Sequence, residues 1–284
     1  MKSVLRQRVG VIGCGTMGAA IVRGLLEARV AAARQLIGAD PSPARRATVR
    51  RLGIRTAASN AALVRACDAV VLAVKPQELA AVLAEIAPRL RSSQLVISIA
   101  AGRSTRWLEQ RLARRQSVIR AMPNTPAQIR QGITVLCRGR AARAAHLAVA
   151  RRLFGALGET VELPERDFHA VTAISGSGPA YVFLLMEAML AAGRRLKLPA
   201  AALARLVVQT VAGSAALARA TGEPPAVLRA RVTSKGGTTA AALRAFARAR
   251  VPAGLVSGMV AAARRSAQLG ADYGYPQLSR RRRH

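Results

Sequence analysis

Val9-Gly10-Val11-Ile12-Gly13-Cys14-Gly15-Thr16-Met17-Gly18 is the stretch on which the fold turns. Its first residues are apolar and largely β-branched, the signature of a strand buried on both faces. Three glycines at G-x-G-x-x-G spacing follow, and residues 17–28 continue with helical periodicity. In this strand-to-helix setting the first glycine permits a tight turn, the second lets the backbone approach a pyrophosphate, and the third allows close helix packing. The helix N-terminus adds unpaired N–H groups and a positive dipole end. Ile12, Gly13, Cys14, Gly15, Thr16 and Met17 are therefore candidate contacts for a dinucleotide; a tight turn without a ligand is the bland alternative.

Outward from this stretch, residues 9–13, 35–40, 69–74, 95–100, 118–122 and 133–137 read as buried strands. Residues 17–28, 44–52, 77–87 and 105–115 read as amphipathic helices between them. This repetition predicts an α/β class, with an N-terminal Rossmann-type, doubly wound parallel sheet over residues 1–164. After residues 159–163 the texture changes. From 168 to 269 nearly everything is Ala, Leu, Val and Arg at helical spacing, interrupted at 175–179, Pro199, 222–225, 234–237 and Pro252. Residues 165–275 are expected to form an all-helical dimerisation domain. Runs such as 181–190 and 203–217 leave little polar face, and a helix apolar nearly all round must be covered on both sides. A homodimer with interleaved helices and isologous contacts meets that need. The basic tail, residues 276–284, has no apolar periodicity and reads as disordered.

Composition narrows the function classes. The 284 residues carry 45 Lys and Arg against 13 Asp and Glu, a formal net charge of +32, yet 51% are hydrophobic. That apolar fraction supplies a core and excludes a disordered basic tail protein. The charge invites a nucleic-acid reading, but its distribution argues otherwise. Only Lys2, Lys75, Lys197 and Lys235 are lysines; the other 41 basic residues are arginines spread through alanine-rich helical text. A codon-level preference for Arg and Ala, with solvated helix faces, accounts for this, so no specific nucleic-acid partner is expected. Cys14, Cys67 and Cys137 are widely spaced and few histidines accompany them, which suits neither a disulfide framework nor a metal site. No run of about 18 uncharged apolar residues occurs, so no membrane span is expected. Lys2, Arg6 and Arg8 before residues 9–22 mimic a signal peptide, but the glycines explain that stretch better, and a cytoplasmic location is expected.

Other strand ends carry chemistry. Asp40 is placed to accept from a ribose 2′-hydroxyl, favouring NAD, whereas Arg45 and Arg46 suit a 2′-phosphate. Asp40-Pro41-Ser42-Pro43 also reads simply as a capped helix start. Ala73-Val74-Lys75-Pro76 and Ala121-Met122-Pro123-Asn124 each end a strand, where ligands of open α/β sheets lie.

Together these residues spell a family. IGCGTMG at 12–18, VLAVKPQ at 71–77, SIAAG at 98–102, RAMPNTPA at 120–127, SGSGPAYVFLLME at 175–187 and VTSKGGTT at 232–239 occur in order. From about residue 9 to 270 the chain resembles the pyrroline-5-carboxylate reductases. The resemblance implies reduction of 1-pyrroline-5-carboxylate to L-proline by NADPH or NADH, in a homodimer or a ring of dimers. It implies that Asn60 reaches the adenosine end. Ala73, Val74, Lys75, Pro76, Ala100 and Ala101 line the dinucleotide, and Met122 and Asn124 flank the nicotinamide. Ser234, Gly236, Gly237, Thr238 and Thr239 would hold the substrate carboxylate, with Thr239 at the ring nitrogen as the catalytic group. Glu165 matches a position near the substrate; alternatively it is an exposed helix-start carboxylate. The loop physics agrees: its glycines precede a helix, so several N–H groups can face one anion.

Lys235 replaces the usual proline of this loop, loosening its φ and adding a cation, and Ala230 with Arg231 stands where an acidic residue is usual. His169 stands in a place often acidic and reads as a packing variation. A β-hydroxyacid dehydrogenase shares the first glycine motif but needs a helix-borne lysine. Lys197, at a helix end before Pro199, is the only lysine in the body of the helical domain, which disfavours it.

Overall fold

The computed structural model describes residues 5–113 and 115–271. Eight strands form one sheet: β1 (Val9–Ile12), β2 (Leu36–Ala39), β3 (Arg55–Thr56), β4 (Ala69–Leu72), β5 (Leu95–Ser98), β6 (Ser117–Met122), β7 (Gly132–Arg138) and β8 (Gly158–Glu162). Their order is β3-β2-β1-β4-β5-β6-β7-β8. The first six are parallel and reverse direction of winding at β1, the doubly wound arrangement expected from the sequence. One expectation needs correction: β6 and β7 pair antiparallel. Only a short 3-10 segment, Thr125–Ile129, joins them, too little chain for a parallel crossover.

The helices α1 (Thr16–Glu27), α2 (Pro43–Arg50), α3 (Asn60–Ala66), α4 (Leu79–Ile86), α5 (Thr105–Glu109) and α6 (Ala144–Phe154) cover the sheet. Alternation sorts its two faces. Val9, Val11, Val71 and Ile97 join one core with Ile21, Leu25 and Phe154 of α1 and α6. Ile12, Val70, Leu72 and Val96 join another with Leu63, Leu83 and Leu108. Each of these side chains contributes about 1.5–3 kcal/mol by leaving water. A side chain on Gly10 would strike Leu63, so glycine there lets α3 press against β1. Cys14, Cys67 and Cys137 are free thiols buried in these packed regions.

Beyond β8, α7 (Phe168–Val171) runs into a π-helical segment, Thr172–Gly176. Phe168 and Val171 pack with Val135 and Cys137 of β7. The remaining helices are α8 (Gly178–Arg195), α9 (Ala200–Thr221), α10 (Pro225–Arg231), α11 (Thr238–Arg248) and α12 (Val251–Ala271). The chain divides into two compact units, one through Ser177 together with the chain from Ala262, the other Gly178–Ala261. The tail at 276–284 lies outside the described residues.

In the helical unit α8 meets α9 where Gly193 leaves room for Leu203. Little else is covered: Leu203 and Val207 are the buried residues of α9, α10 and α11 have none, and Phe183 is 57% exposed. By length and apolarity alone the stretch Glu165–Arg195 and the helix Ala200–Thr221 are sufficient to cross a membrane. Polar residues such as His169, Thr172, Ser175 and Ser177 in the first, and Arg205 and Arg219 in the second, break the text, so neither holds an 18-residue run that is both apolar and uncharged.

Several helices end on an arginine or lysine in the left-handed region, among them Arg29 (φ 53°), Lys197 (φ 60°) and Arg250 (φ 54°). Glycine or asparagine is the usual occupant there.

Candidate active site

Parallel register brings the candidate nucleotide residues to one edge of the sheet. Ile12 pairs with Leu72, Leu72 with Ser98, and Ser98 with Arg120, so Gly13, Ala73 and Ala100, which follow strand ends, and Met122, which ends β6, lie on that edge. Gly13 has φ +94° and sits where a Cβ would lie 2.6 Å from the Ala73 carbonyl oxygen; on Gly18 it would strike the Gly13 carbonyl. Around Gly15 there is open space. Gly15 is also the N-cap of α1 and provides no side-chain cap, so the first N–H groups of that helix remain available. This is the shape and polarity a pyrophosphate requires.

Asp40 is buried and already engaged. Its Oδ2 accepts from the Cys14 N–H at 2.9 Å and its Oδ1 from the Ser42 N–H at 2.9 Å. It thus ties the glycine loop to the end of β2, and Arg45 lies 3.7 Å from the same carboxylate. Arg46 Nη1 donates to the carbonyls of Asp40 and Pro41 at 2.7 and 3.0 Å. Burial, reinforced by Asp40, pushes the Cys14 thiol up to about 11, so it stays a neutral wall of the loop.

Beside them lies a cavity of about 610 Å3 lined by Ile12, Gly13, Asp40, Asn60, Val74 and Glu85, among others. Its size falls within the range of ligand pockets. Asn60 opens α3 and its Nδ2 donates to Glu85 Oε2 at 2.6 Å. Lys75 is exposed, while the Pro76 carbonyl accepts from Arg103 Nη2 at 2.6 Å. Ala100 is buried and Ala101 exposed at the end of β5. Asn124 Oδ1 accepts from the Ile133 N–H at 3.0 Å, fixing the turn into β7. Met122 touches the π-helical segment, its Cε 2.7 Å from where a Cβ on Gly176 would lie.

Glu165 is not a loose helix-start carboxylate. Oε1 accepts from the Thr105 N–H at 2.7 Å and Arg120 Nη1 at 3.1 Å, and Oε2 from the Thr105 hydroxyl at 2.7 Å. Arg120 is 1% exposed, with its guanidinium 4.5 Å from the Phe168 ring centroid. His169 is buried, its Nδ1 3.0 Å from Ser266 Oγ of α12, and burial followed by Arg120 lowers its pKa. Arg120 and Thr105 were missed as partners in sequence. An arginine between Ile119 and Ala121 in a buried strand is itself the signal, because such a charge needs a counter-ion.

In the helical unit, Gly236 has φ +74° and a Cβ on Gly237 would strike Ser234 Oγ. The turn closes with Gly237 N–H donating to the Ser234 carbonyl at 3.1 Å, and α11 begins at Thr238 without a side-chain cap. Ser234, Lys235, Gly236 and Thr238 are exposed, Gly237 and Thr239 partly so. Nearby Arg231 forms a two-pronged pair with Glu223, both contacts 2.6 Å.

Residues 165–269 match the family model for pyrroline-5-carboxylate reductase dimerisation, and residues 8–102 match that for NADP oxidoreductase, coenzyme F420-dependent. The pyrroline-5-carboxylate reductase of Pseudomonas aeruginosa is 42% identical over 269 residues, spanning 94% of this chain and 98% of the relative. That of Pisum sativum is 37% identical over 261 residues, spanning 92% and 95%. The crystal structure of Plasmodium falciparum pyrroline carboxylate reductase with NADP bound matches with a TM-score of 0.86 and 30% identity, covering 94% of this chain and all of that one. The chain therefore belongs to the pyrroline-5-carboxylate reductase family, NAD(P)H-dependent oxidoreductases of proline biosynthesis acting on the CH–NH group.

Proposed function

We propose that residues 234–239 form the carboxylate cradle for 1-pyrroline-5-carboxylate and that Thr239 acts at its imine nitrogen. The observation that carries this reading is the uncapped start of α11 behind the left-handed Gly236. Such a turn directs successive N–H groups to one point, and a single carboxylate is the complement. Ser234 and Thr238 add hydroxyl donors. The Thr239 hydroxyl offers a hydrogen bond at the ring nitrogen.

Bound NAD(P)H supplies the hydride. The chain's part is to hold both partners and to exclude water. Gly13, Gly15, Thr16 and Met17 would hold the pyrophosphate on the start of α1. Asn60 lines the adenosine side, Ala73, Val74, Lys75, Pro76, Ala100 and Ala101 flank the dinucleotide, and Met122 and Asn124 border the nicotinamide. A cyclic imine is basic enough to arrive protonated, so no strong general acid is required. Glu165 serves this arrangement by securing the start of α7 to Thr105 and Arg120. The engagement of the Asp40 carboxylate by backbone N–H groups, with Arg45 beside it, supports NADPH over NADH.

The exposed apolar faces of α8 and α9 support a homodimer built from residues 165–275, and the proposal extends to a ring of such dimers. Free cysteines without disulfides among the described residues fit the reducing cytoplasm. The test follows cofactor oxidation on addition of 1-pyrroline-5-carboxylate, with NADH and NADPH separately. Thr239→Ala should lower kcat by about tenfold or more while NADPH affinity changes little. Unchanged turnover would remove Thr239 from its assigned place.

A further inference from the structure

At the opposite edge of the sheet from the glycine loop lies a second cavity, of about 650 Å3, lined by Arg106, Glu109, Gln110, Arg115, Gln116 and Arg140, among others. The topology separates the two places. Residues 115 and 116 lead into the N-terminal end of β6, and Arg140 follows β7, which runs antiparallel to β6. The glycine loop follows the C-terminal end of β1, parallel to β4, β5 and β6.

Three guanidiniums line this concavity, and its carboxylate does not balance them. Glu109 Oε1 accepts from the Arg140 backbone N–H at 2.5 Å and lies against Gly139. Among the described residues, Arg106, Arg115 and Arg140 make no ion pair. Gln116, 2% exposed, donates its Nε2 to the Gln94 carbonyl, and its Oε1 has no hydrogen-bond partner. Guanidinium forks match phosphate oxygens, and several of them in one concavity reinforce one another. The volume lies within the range of small-molecule sites.

We infer that this cavity binds a phosphorylated small molecule of mononucleotide size. Its phosphates sit on Arg106, Arg115 and Arg140, and the remaining volume takes the nucleoside. Calorimetric titration of the full chain with ATP, in the presence of saturating NADPH and near physiological ionic strength, tests it. One ATP per chain should bind with NADPH in place. Arg106→Ala with Arg140→Ala should weaken it by about tenfold per arginine, leaving turnover without ATP unchanged. Arg29→Ala with Arg250→Ala removes the same charge elsewhere and should preserve ATP affinity. Tripolyphosphate should bind more weakly than ATP, because it leaves the part of the cavity beyond the arginines unfilled. The inference is overturned if ATP does not bind, if NADPH abolishes its binding, if the control pair weakens it as much as the cavity pair, or if inorganic phosphate binds as tightly.

Discussion

The sheet unit and the helical unit satisfy their residues in opposite ways. Around the sheet, both faces are packed, Arg120 has its carboxylate in Glu165, and Asp40 is held by two backbone N–H groups. In the helical unit, large apolar side chains such as Phe183, Leu206 and Val256 remain in water within a single chain. The first is a finished structure as a monomer; the second is half of one. Substitutions should therefore act on folding in the one and on association in the other.

The largest effect should come from Phe183→Asp combined with Leu206→Asp. Both sites are exposed in the single chain, so loss of the dimer and of activity is expected at roughly micromolar concentration, with helical content retained. A dimer that persists in sedimentation would remove these faces from the interface. In the sheet unit Gly18→Ala should act on the fold, since its Cβ would meet the Gly13 carbonyl. A loss of about 2–4 kcal/mol in urea unfolding is expected, with weakened NADPH binding.

A smaller, pH-dependent effect should come from His169. Burial, then Arg120, lowers its pKa in the folded chain, with Glu165 opposing. Protonation consequently favours the unfolded state: the contribution is complete above the ordinary value of 6.5 and is lost as pH falls through the folded value. His169→Gln keeps a partner for Ser266 and should flatten the stability profile below that pH; an unaltered profile would place the titration elsewhere. Smallest of all, Arg29→Gly and Arg250→Gly relieve left-handed backbone in the sheet and helical units respectively. Each should raise stability by about 0.5–1 kcal/mol, and a decrease would show that the side chain outweighs the strain.

Legibility in sequence followed the range of the interactions. The strands β1, β2 and β4 to β7 and the glycine loop were readable because their signals are local, apolar runs and glycines at fixed spacing, whereas β8 carries Glu159 and Glu162 among its five residues and gave no such run. β3 was not, being two residues with polar side chains, Arg55 and Thr56. The antiparallel direction of β7 departs from the parallel sheet expected, because it depends on the brevity of the link at Thr125–Ile129. The loop at 234–239 was recognisable from its own residues. Glu165 was singled out, but its hydrogen bonds were not legible, since its partners lie 60 and 45 residues earlier at Thr105 and Arg120. Asp40 was placed correctly at the end of β2, yet its engagement by Cys14 and Ser42 needed the folded turn.

The three buried thiols give the folded state its own clock. Burial foremost pushes Cys14 up to about 11 and Cys67 and Cys137 to about 12, so near neutral pH almost none is thiolate while the sheet is closed. An alkylating reagent must wait for the chain to open. Cys14 reports on the glycine loop, Cys67 on the end of α3 and Cys137 on β7, so their separate labelling rates distinguish local fraying from global unfolding without any introduced probe.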